Sequence, residues 1–291
     1  MTHNLVFNDT VVTSNNWDDI YSSYLQKLLE YGEVFVGRNG ETKSAFGCSV
    51  RIDIREGFPL TSLRKLPFKN IIREFLFDIG TSTNVDALGP AKHFWSFLAN
   101  DDGWLGASAY NRGWRQWPAS RPGSEIPNET LVTVGQVDQL NRTLSLLQDT
   151  PNSRHGTIIT HNPTALNVGC PPCHPMMQLM PSGEYLDLMV PARSNDMCVG
   201  FCLDIPRYAI ILTMMAKMSS FTPRYLYMPS SNSHIYKNCY EGVEELISRP
   251  SNPDPKLIVK DREYTSWDDI QLDDFEITHY NPSAPIKFGV N

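Results

Sequence analysis

Cys173 lies in the run Pro171-Pro172-Cys173-His174-Pro175-Met176-Met177-Gln178, and 20 residues on comes Arg193-Ser194-Asn195-Asp196, followed by Gly200 and Asp204. A cysteine acts as a nucleophile through its thiolate, which nearby positive charge favours. Arg193 supplies such a charge, and an Arg-Ser pair also offers the donors that hold a phosphate. Glu74 sits inside an otherwise apolar helical stretch, where a carboxylate is costly unless it has a role or a partner. The chain therefore carries a thiol nucleophile, an anion grip and a candidate acid or base.

The rest of the chain has to bring these groups together. Its 291 residues are 41% hydrophobic and 20% charged, enough for one large core in a single catalytic unit. The net charge of −7 argues against broad coating of nucleic acid or of an anionic membrane, and it leaves room for a small anionic ligand held by a few arginines. The cysteines at 48, 170, 173, 198, 202 and 239 fit no paired zinc pattern, so no metal is expected. The single Cys-Pro-Pro-Cys is a poor redox motif because two prolines disfavour a helix start there. With no leader peptide, a cytoplasmic protein with reduced thiols is expected. No apolar run approaches the roughly 20 residues of a membrane span. Residues 208–218 are apolar but short and include Lys217, which predicts a buried helix.

Residues 1–16 are polar and predict an N-terminal arm ahead of a catalytic domain over 17–291. Helical spacing predicts helices over 18–31, 68–79, 132–147 and 236–248. Strands are predicted over 49–54, 156–160, 184–190, 224–228, 257–260 and 275–279. Gly32, Gly37 and Gly40 predict a loop around Arg38, and 94–118 is rich in Trp, Tyr and Gly. Asp204 reads as the N-cap of the apolar run after it. Strands and helices mix without strict βαβ alternation, which favours α+β.

Taken in order, these segments resemble the thymidylate synthase family over nearly the whole chain. They are Gly57-Phe58-Pro59-Leu60-Thr61, Ile71-Ile72-Arg73-Glu74-Phe75-Leu76, Gly80-Thr81-Ser82-Thr83-Asn84 and Tyr110-Asn111-Arg112-Gly113-Trp114-Arg115-Gln116-Trp117-Pro118. Next come Pro151-Asn152-Ser153-Arg154, the Cys173 and Arg193 segments, His234-Ile235-Tyr236-Lys237-Asn238 and Asp274-Phe275-Glu276-Ile277. The resemblance implies a large twisted mixed sheet packed with helices, dimerising through the sheet. It implies that Cys173 adds to carbon 6 of a pyrimidine, with Glu74 ordering water and moving protons and Tyr110 in the proton relay. Arg38, Arg154, Arg193 and Ser194 become phosphate ligands, Arg154 reaching across a homodimer into the neighbour's site. Gln178, His234 and Tyr236 join the nucleotide site, the last two at the sugar 3′-hydroxyl. Trp95, Asp196, Gly200 and Arg64 become the site of 5,10-methylenetetrahydrofolate. The sequence departs from the family pattern in several places. His155 stands where a second arginine is usual, Arg64 where a lysine contacts the folate glutamate tail, Pro67 where a histidine is usual, and the tail 284–291 ends differently.

Asp204 occupies the position where thymidylate synthases place the asparagine that reads the base. Uracil presents one acceptor and one donor there, which an amide complements. Cytosine presents an amine, from which a carboxylate accepts, and a ring nitrogen, which a carboxylate stabilises when it is protonated as the thiolate adds. Opposing a carboxylate to the uracil carbonyl costs on the order of 1–3 kcal/mol. The segment 193–196 is also similar to bacteriophage deoxycytidylate hydroxymethylases. The resemblance thus implies dCMP and a reduced folate as partners and a 5-hydroxymethyltransferase as the activity. The alternatives are a dCMP methyltransferase using folate hydride, thymidylate synthase on dUMP, and a non-catalytic nucleotide- or RNA-binding relative.

Overall fold

A computed structural model describes residues 2–106, 109–120, 133–163 and 170–289. In chain order the strands and helices begin with β1 (His3–Phe7), β2 (Thr10–Ser14), α1 (Trp17–Tyr31), β3 (Glu33–Gly37), β4 (Gly40–Ala45), β5 (Cys48–Asp53) and α2 (Phe68–Ile79). They continue with α3 (Tyr110–Arg115), β6 (Trp117–Ser120), β7 (Thr133–Val137), α4 (Gln139–Asp149), β8 (Thr157–Ile159), β9 (Met176–Ser182), β10 (Tyr185–Met189) and β11 (Asn195–Asp196). The last are α5 (Gly200–Met218), β12 (Thr222–Ser230), β13 (Ser233–Tyr236), α6 (Tyr240–Ile247), β14 (Lys256–Val259) and β15 (Phe275–Thr278).

Seven strands form one mixed sheet in the order β2-β1-β5-β12-β10-β9-β8, with β10 and β12 parallel and the other neighbours antiparallel. The alternation expected of a sheet with one covered face is plain in β10, where Leu186 and Leu188 are buried. That face packs against α5, whose residues from Phe201 to Met218 are apolar on nearly every side. The opposite face is open and carries Met180, Tyr227 and Ile159 partly exposed. A second sheet, β11-β13-β4-β3, lies beside α1. The α+β class and the large mixed sheet expected from sequence are both present.

Helix α1 starts where Asn16 accepts from the backbone N–H of Asp18, with Asp18 and Asp19 in the first turn. Its inward face fixes the second sheet: Tyr21 donates its hydroxyl to the Met197 carbonyl at 2.7 Å, and Tyr24 bonds Ser233 at 2.6 Å. The buried Asp18 accepts from Thr61 and Ser62, tying α1 to the turn ahead of α2.

Five local expectations change. Residues 3–14, predicted as an arm, form strand β1 and the edge strand β2, with Leu5 and Phe7 in the core. The loop around Arg38 is a β3–β4 hairpin with Arg38 and Asn39 at its turn. The helix predicted over 132–147 is strand β7 and then α4, because the Asp138 carboxylate caps α4 by accepting from Asn141 N–H at 2.9 Å; Val132 lies outside the described residues. The segment 236–248 ends a strand before it turns into α6. Helix α5 begins at Gly200, so Asp204 lies inside its first turns and caps nothing.

Candidate active site

Three segments converge on Cys173. The residues just after Ala192 are strapped between Cys173 and the end of β12: Arg193 N–H donates to the Cys173 carbonyl at 2.8 Å, Ala192 N–H to Pro229 and Asn195 N–H to Asn232. Helix α3 brings Tyr110 against His174, the residue after the nucleophile. The Tyr110 hydroxyl lies 3.1 Å from His174 Nδ1 and accepts the His174 backbone N–H at 3.3 Å. Burial pushes His174 down to about 3, helped by the charge of Arg207, so its ring is neutral. Its Nε2, with Asp204 Oδ2 at 3.7 Å, makes no hydrogen bond of good geometry among the described residues.

Arg193 is exposed, and its guanidinium turns to the carbonyls of Pro171 (2.5 Å) and Pro172 (3.0 Å). Arg193 does favour ionisation of Cys173, as expected. Burial outweighs it and Asp204 opposes it, so the thiol is pushed up to about 11. Arg193 thus favours the thiolate without outweighing burial.

Helix α2 contributes Glu74, buried on the face toward α5. Its Oε1 accepts from the Trp95 indole at 2.9 Å and from Arg207 Nη1 at 2.9 Å, and among the described residues Oε2 takes no hydrogen bond. Burial raises the Glu74 carboxyl, against the pull of Arg207. Trp95 is held there by tight turns over Val85–Phe94, which need Gly89 at φ 54 in the left-handed region. The indole stands edge-on to Tyr110 at 5.9 Å.

Asp204 keeps 17% of its side chain exposed. Its Oδ1 accepts from Arg207 Nη2 at 2.5 Å. Its Oδ2 lies under Gly200, where an added Cβ would come to 3.5 Å. Burial raises the Asp204 carboxyl, and Arg207 lowers it. Both Asp204 and Arg207 act electrostatically on Cys173.

The second sheet forms a neighbouring wall. Register pairs Asp196 with His234, and His234 stands edge-on to Tyr236 at 5.1 Å. His234 Nδ1 pairs with Asn232 at 2.7 Å, and burial lowers its pKa to about 4. The Arg38 hairpin turn reaches Tyr236: Asn39 hydrogen-bonds it, and Arg38 and Cys173 both act on its ionisation. Asp196 Oδ1 accepts from the backbone of Cys198 and Val199 in the turn that starts α5.

Three of the expected site residues lie elsewhere. Gln178 lines a groove of about 530 Å³ on the open face of the large sheet, with Met180, Tyr225 and Tyr227. Arg154 is exposed on the loop before β8, its carbonyl accepting weakly from Gln178 at 3.5 Å. Arg64 is buried against the tail: it donates to the carbonyls of Ile286 and Cys198 and to Cys202 Sγ, with Phe288 4.7 Å from its guanidinium. Its guanidinium is therefore engaged with the chain rather than turned outward to a glutamate tail. Val290 and Asn291 lie outside the described residues.

Sequence reading missed three groups at the centre: Arg207, Asp78 and His174. The signal was spacing. Asp78 is four residues after Glu74 on α2, and Arg207 three after Asp204 on α5, so each pair shares a helix face. Arg207 Nη1 also donates to Asp78 Oδ2 at 2.8 Å. Among the described residues, no group of three His, Cys, Asp or Glu forms a metal site, and no helix is long and apolar enough to cross a membrane. Residues 19–291 match the family model described as thymidylate synthase.

Proposed function

The chain belongs to the thymidylate synthase family, and on that premise we propose that it is a folate-dependent dCMP 5-hydroxymethyltransferase. The family assigns it one-carbon transfer from 5,10-methylenetetrahydrofolate to a pyrimidine nucleotide. The observation that carries the finer reading is Asp204, a carboxylate with one oxygen pinned by Arg207 and the other beside the His174 ring. An ionised carboxylate only accepts hydrogen bonds, which suits the cytosine amine and opposes the uracil carbonyl.

Cys173 Sγ, once deprotonated, forms a bond to carbon 6, and the electron pair of the 5,6 double bond makes carbon 5 nucleophilic. The folate supplies the one-carbon unit that carbon 5 takes up. Trp95, Asp196 and Gly200 are the residues that fit it: an indole beside the Cys173 cluster, a carboxylate at the α5 turn, and a position without a side chain. Glu74 holds water through its unbonded Oε2 and moves the proton lost from carbon 5; the electrons of that carbon–hydrogen bond break the bond between the one-carbon unit and the folate nitrogen, so tetrahydrofolate leaves and an exocyclic methylene remains on the ring. Water oxygen then bonds to the methylene and gives up a proton, the electron pair re-forms the 5,6 double bond, and the Cys173–carbon 6 bond breaks. The balance is dCMP, methylenetetrahydrofolate and water giving 5-hydroxymethyl-dCMP and tetrahydrofolate. Arg38, Arg193 and Ser194 take the phosphate, with Arg154 supplied by a second copy, and His234 and Tyr236 take the sugar hydroxyl.

Trp95, edge-on to Tyr110, keeps an aromatic wall beside the Cys173 cluster. That wall favours the hydride-transferring dCMP methyltransferase as the second reading. The test of base choice is kcat/KM for dCMP and dUMP side by side, in wild type and Asp204→Asn. The proposal expects a dCMP preference that the substitution moves toward dUMP. A wild type that prefers dUMP contradicts it.

A further inference from the structure

Helices α2 and α5 meet across a charge cluster that apolar packing alone would not need. Arg207 has 1% of its side chain exposed and bridges Glu74 (2.9 Å), Asp78 (2.8 Å) and Asp204 (2.5 Å). Its ring neighbours are Tyr110 and Tyr208, each 5.3 Å from the guanidinium. One cation thus serves three carboxylates. Taking a guanidinium out of water costs several kcal/mol, so it stays only where hydrogen-bond acceptors surround it and compensating negative charge is close. Asp78 is as deeply buried as Arg207, with 1% of its side chain exposed, and it meets no described group that the mechanism uses.

We propose that Arg207 is the specificity-determining positioning residue of the base site, holding Asp204 as an ionised, acceptor-only carboxylate with Oδ2 presented to the pyrimidine, and that Asp78 anchors the guanidinium in that place. The inference rests on the reading of Asp204 as the base contact and deepens it. A protonated aspartic acid offers one O–H donor and one carbonyl acceptor. That is the pattern of a carboxamide, and it complements uracil. The residue type at 204 is therefore only half of the selection; the other half is what keeps a proton off it. Burial drives Asp204 toward the protonated form, and the Arg207 contact opposes it. Because Oδ1 is occupied by Nη2, the oxygen left for a ligand is Oδ2, the one beside His174 Nε2.

The test is kcat/KM for dCMP and for dUMP, with methylenetetrahydrofolate and the full chain, in wild type, Arg207→Met, Arg207→Lys, Asp204→Asn and Asp204→Asn/Arg207→Met. Arg207→Met should move the dCMP/dUMP ratio toward dUMP by about tenfold or more, the scale of one mismatched polar pair. Arg207→Lys keeps the charge and should keep most of the preference. In the Asp204→Asn background the same Arg207→Met change should leave the ratio unmoved. If Arg207→Met leaves its neighbours too strained to fold, Arg207→Met/Asp78→Leu removes the guanidinium together with its anchoring acid and reads the same ratio. A proportional loss with both nucleotides, while Asp204→Asn alone shifts the ratio, overturns this inference and leaves the base contact standing. An unmoved ratio in Asp204→Asn overturns the base contact and this inference with it.

Discussion

The backbone N–H of Arg193 donates to the carbonyl oxygen of Cys173 at 2.8 Å, while the Arg193 guanidinium turns to Pro171 and Pro172. The two residues are thus locked together, yet the cation turns its hydrogen bonds to those carbonyls and to Cys170 Sγ rather than to the Cys173 sulfur. Burial then dominates, and the thiol stands at about 11.

Alkylation of Cys173, followed by peptide mapping after iodoacetamide, should therefore be slow near neutral pH. It should still be accelerating well above pH 9. Arg193→Ala removes a group that favours the thiolate, so its profile should move to higher pH. A wild-type rate that levels off near neutrality contradicts this account.

Asp78 should make folding stability fall as pH rises. Burial raises its carboxyl from the ordinary 3.8 to about 8, so the folded chain binds this proton more tightly than the unfolded chain does. Between those values the folded state holds more protons, and the unfolding free energy drops with rising pH, by at most about 1.4 kcal/mol per pH unit. Asp78→Asn removes the titration and keeps an acceptor for Arg207. Its Tm should fall less steeply than wild type from pH 5 to pH 8. Parallel slopes for the two proteins count against the assignment.

Glu74→Gln keeps acceptors for Trp95 and Arg207 but cannot carry a proton. Turnover should fall by about 100-fold or more, the range of general acid–base catalysis. The Kd for dCMP should change far less. Equal losses in turnover and in nucleotide affinity point instead to a purely structural Glu74.

Arg154 stands beside the open sheet face, apart from the Cys173 cluster, which fits a role in a neighbour's site. Mixing Arg154→Ala with Cys173→Ala protein should restore activity toward a quarter of wild type, since a mixed dimer has one site with both residues. With subunit exchange verified by mass, activity that stays at the level of the separate variants rejects the shared site.

How far the sequence spoke depended on the kind of signal. Helix α2 was legible over its whole length because Ile71, Ile72, Phe75 and Ile79 keep helical period and Gly80 stops it. The start of α5 was not, because Val199 stands at the cap without a side-chain hydrogen bond while Asp204 resembles a cap. Strands β1 and β2 were hidden by asparagines and a threonine-rich composition, although His3, Leu5 and Phe7 alternate toward the core. Family motifs pointed to Cys173, Tyr110 and Glu74, but not to what burial does to them. Asp78 and Arg207 escaped because spacing pairs each only with a charge on its own helix; only the packing of α2 on α5 makes the two pairs one cluster.

The central claim is that water, not hydride, ends the reaction on a cytosine nucleotide. The direct measurement is the wild-type reaction with dCMP and methylenetetrahydrofolate in oxygen-18 water, with both products identified by mass. The account predicts 5-hydroxymethyl-dCMP carrying the label in its new hydroxyl, matched one-to-one by tetrahydrofolate. An unlabelled 5-methyl-dCMP matched by dihydrofolate would contradict it and establish the hydride route instead.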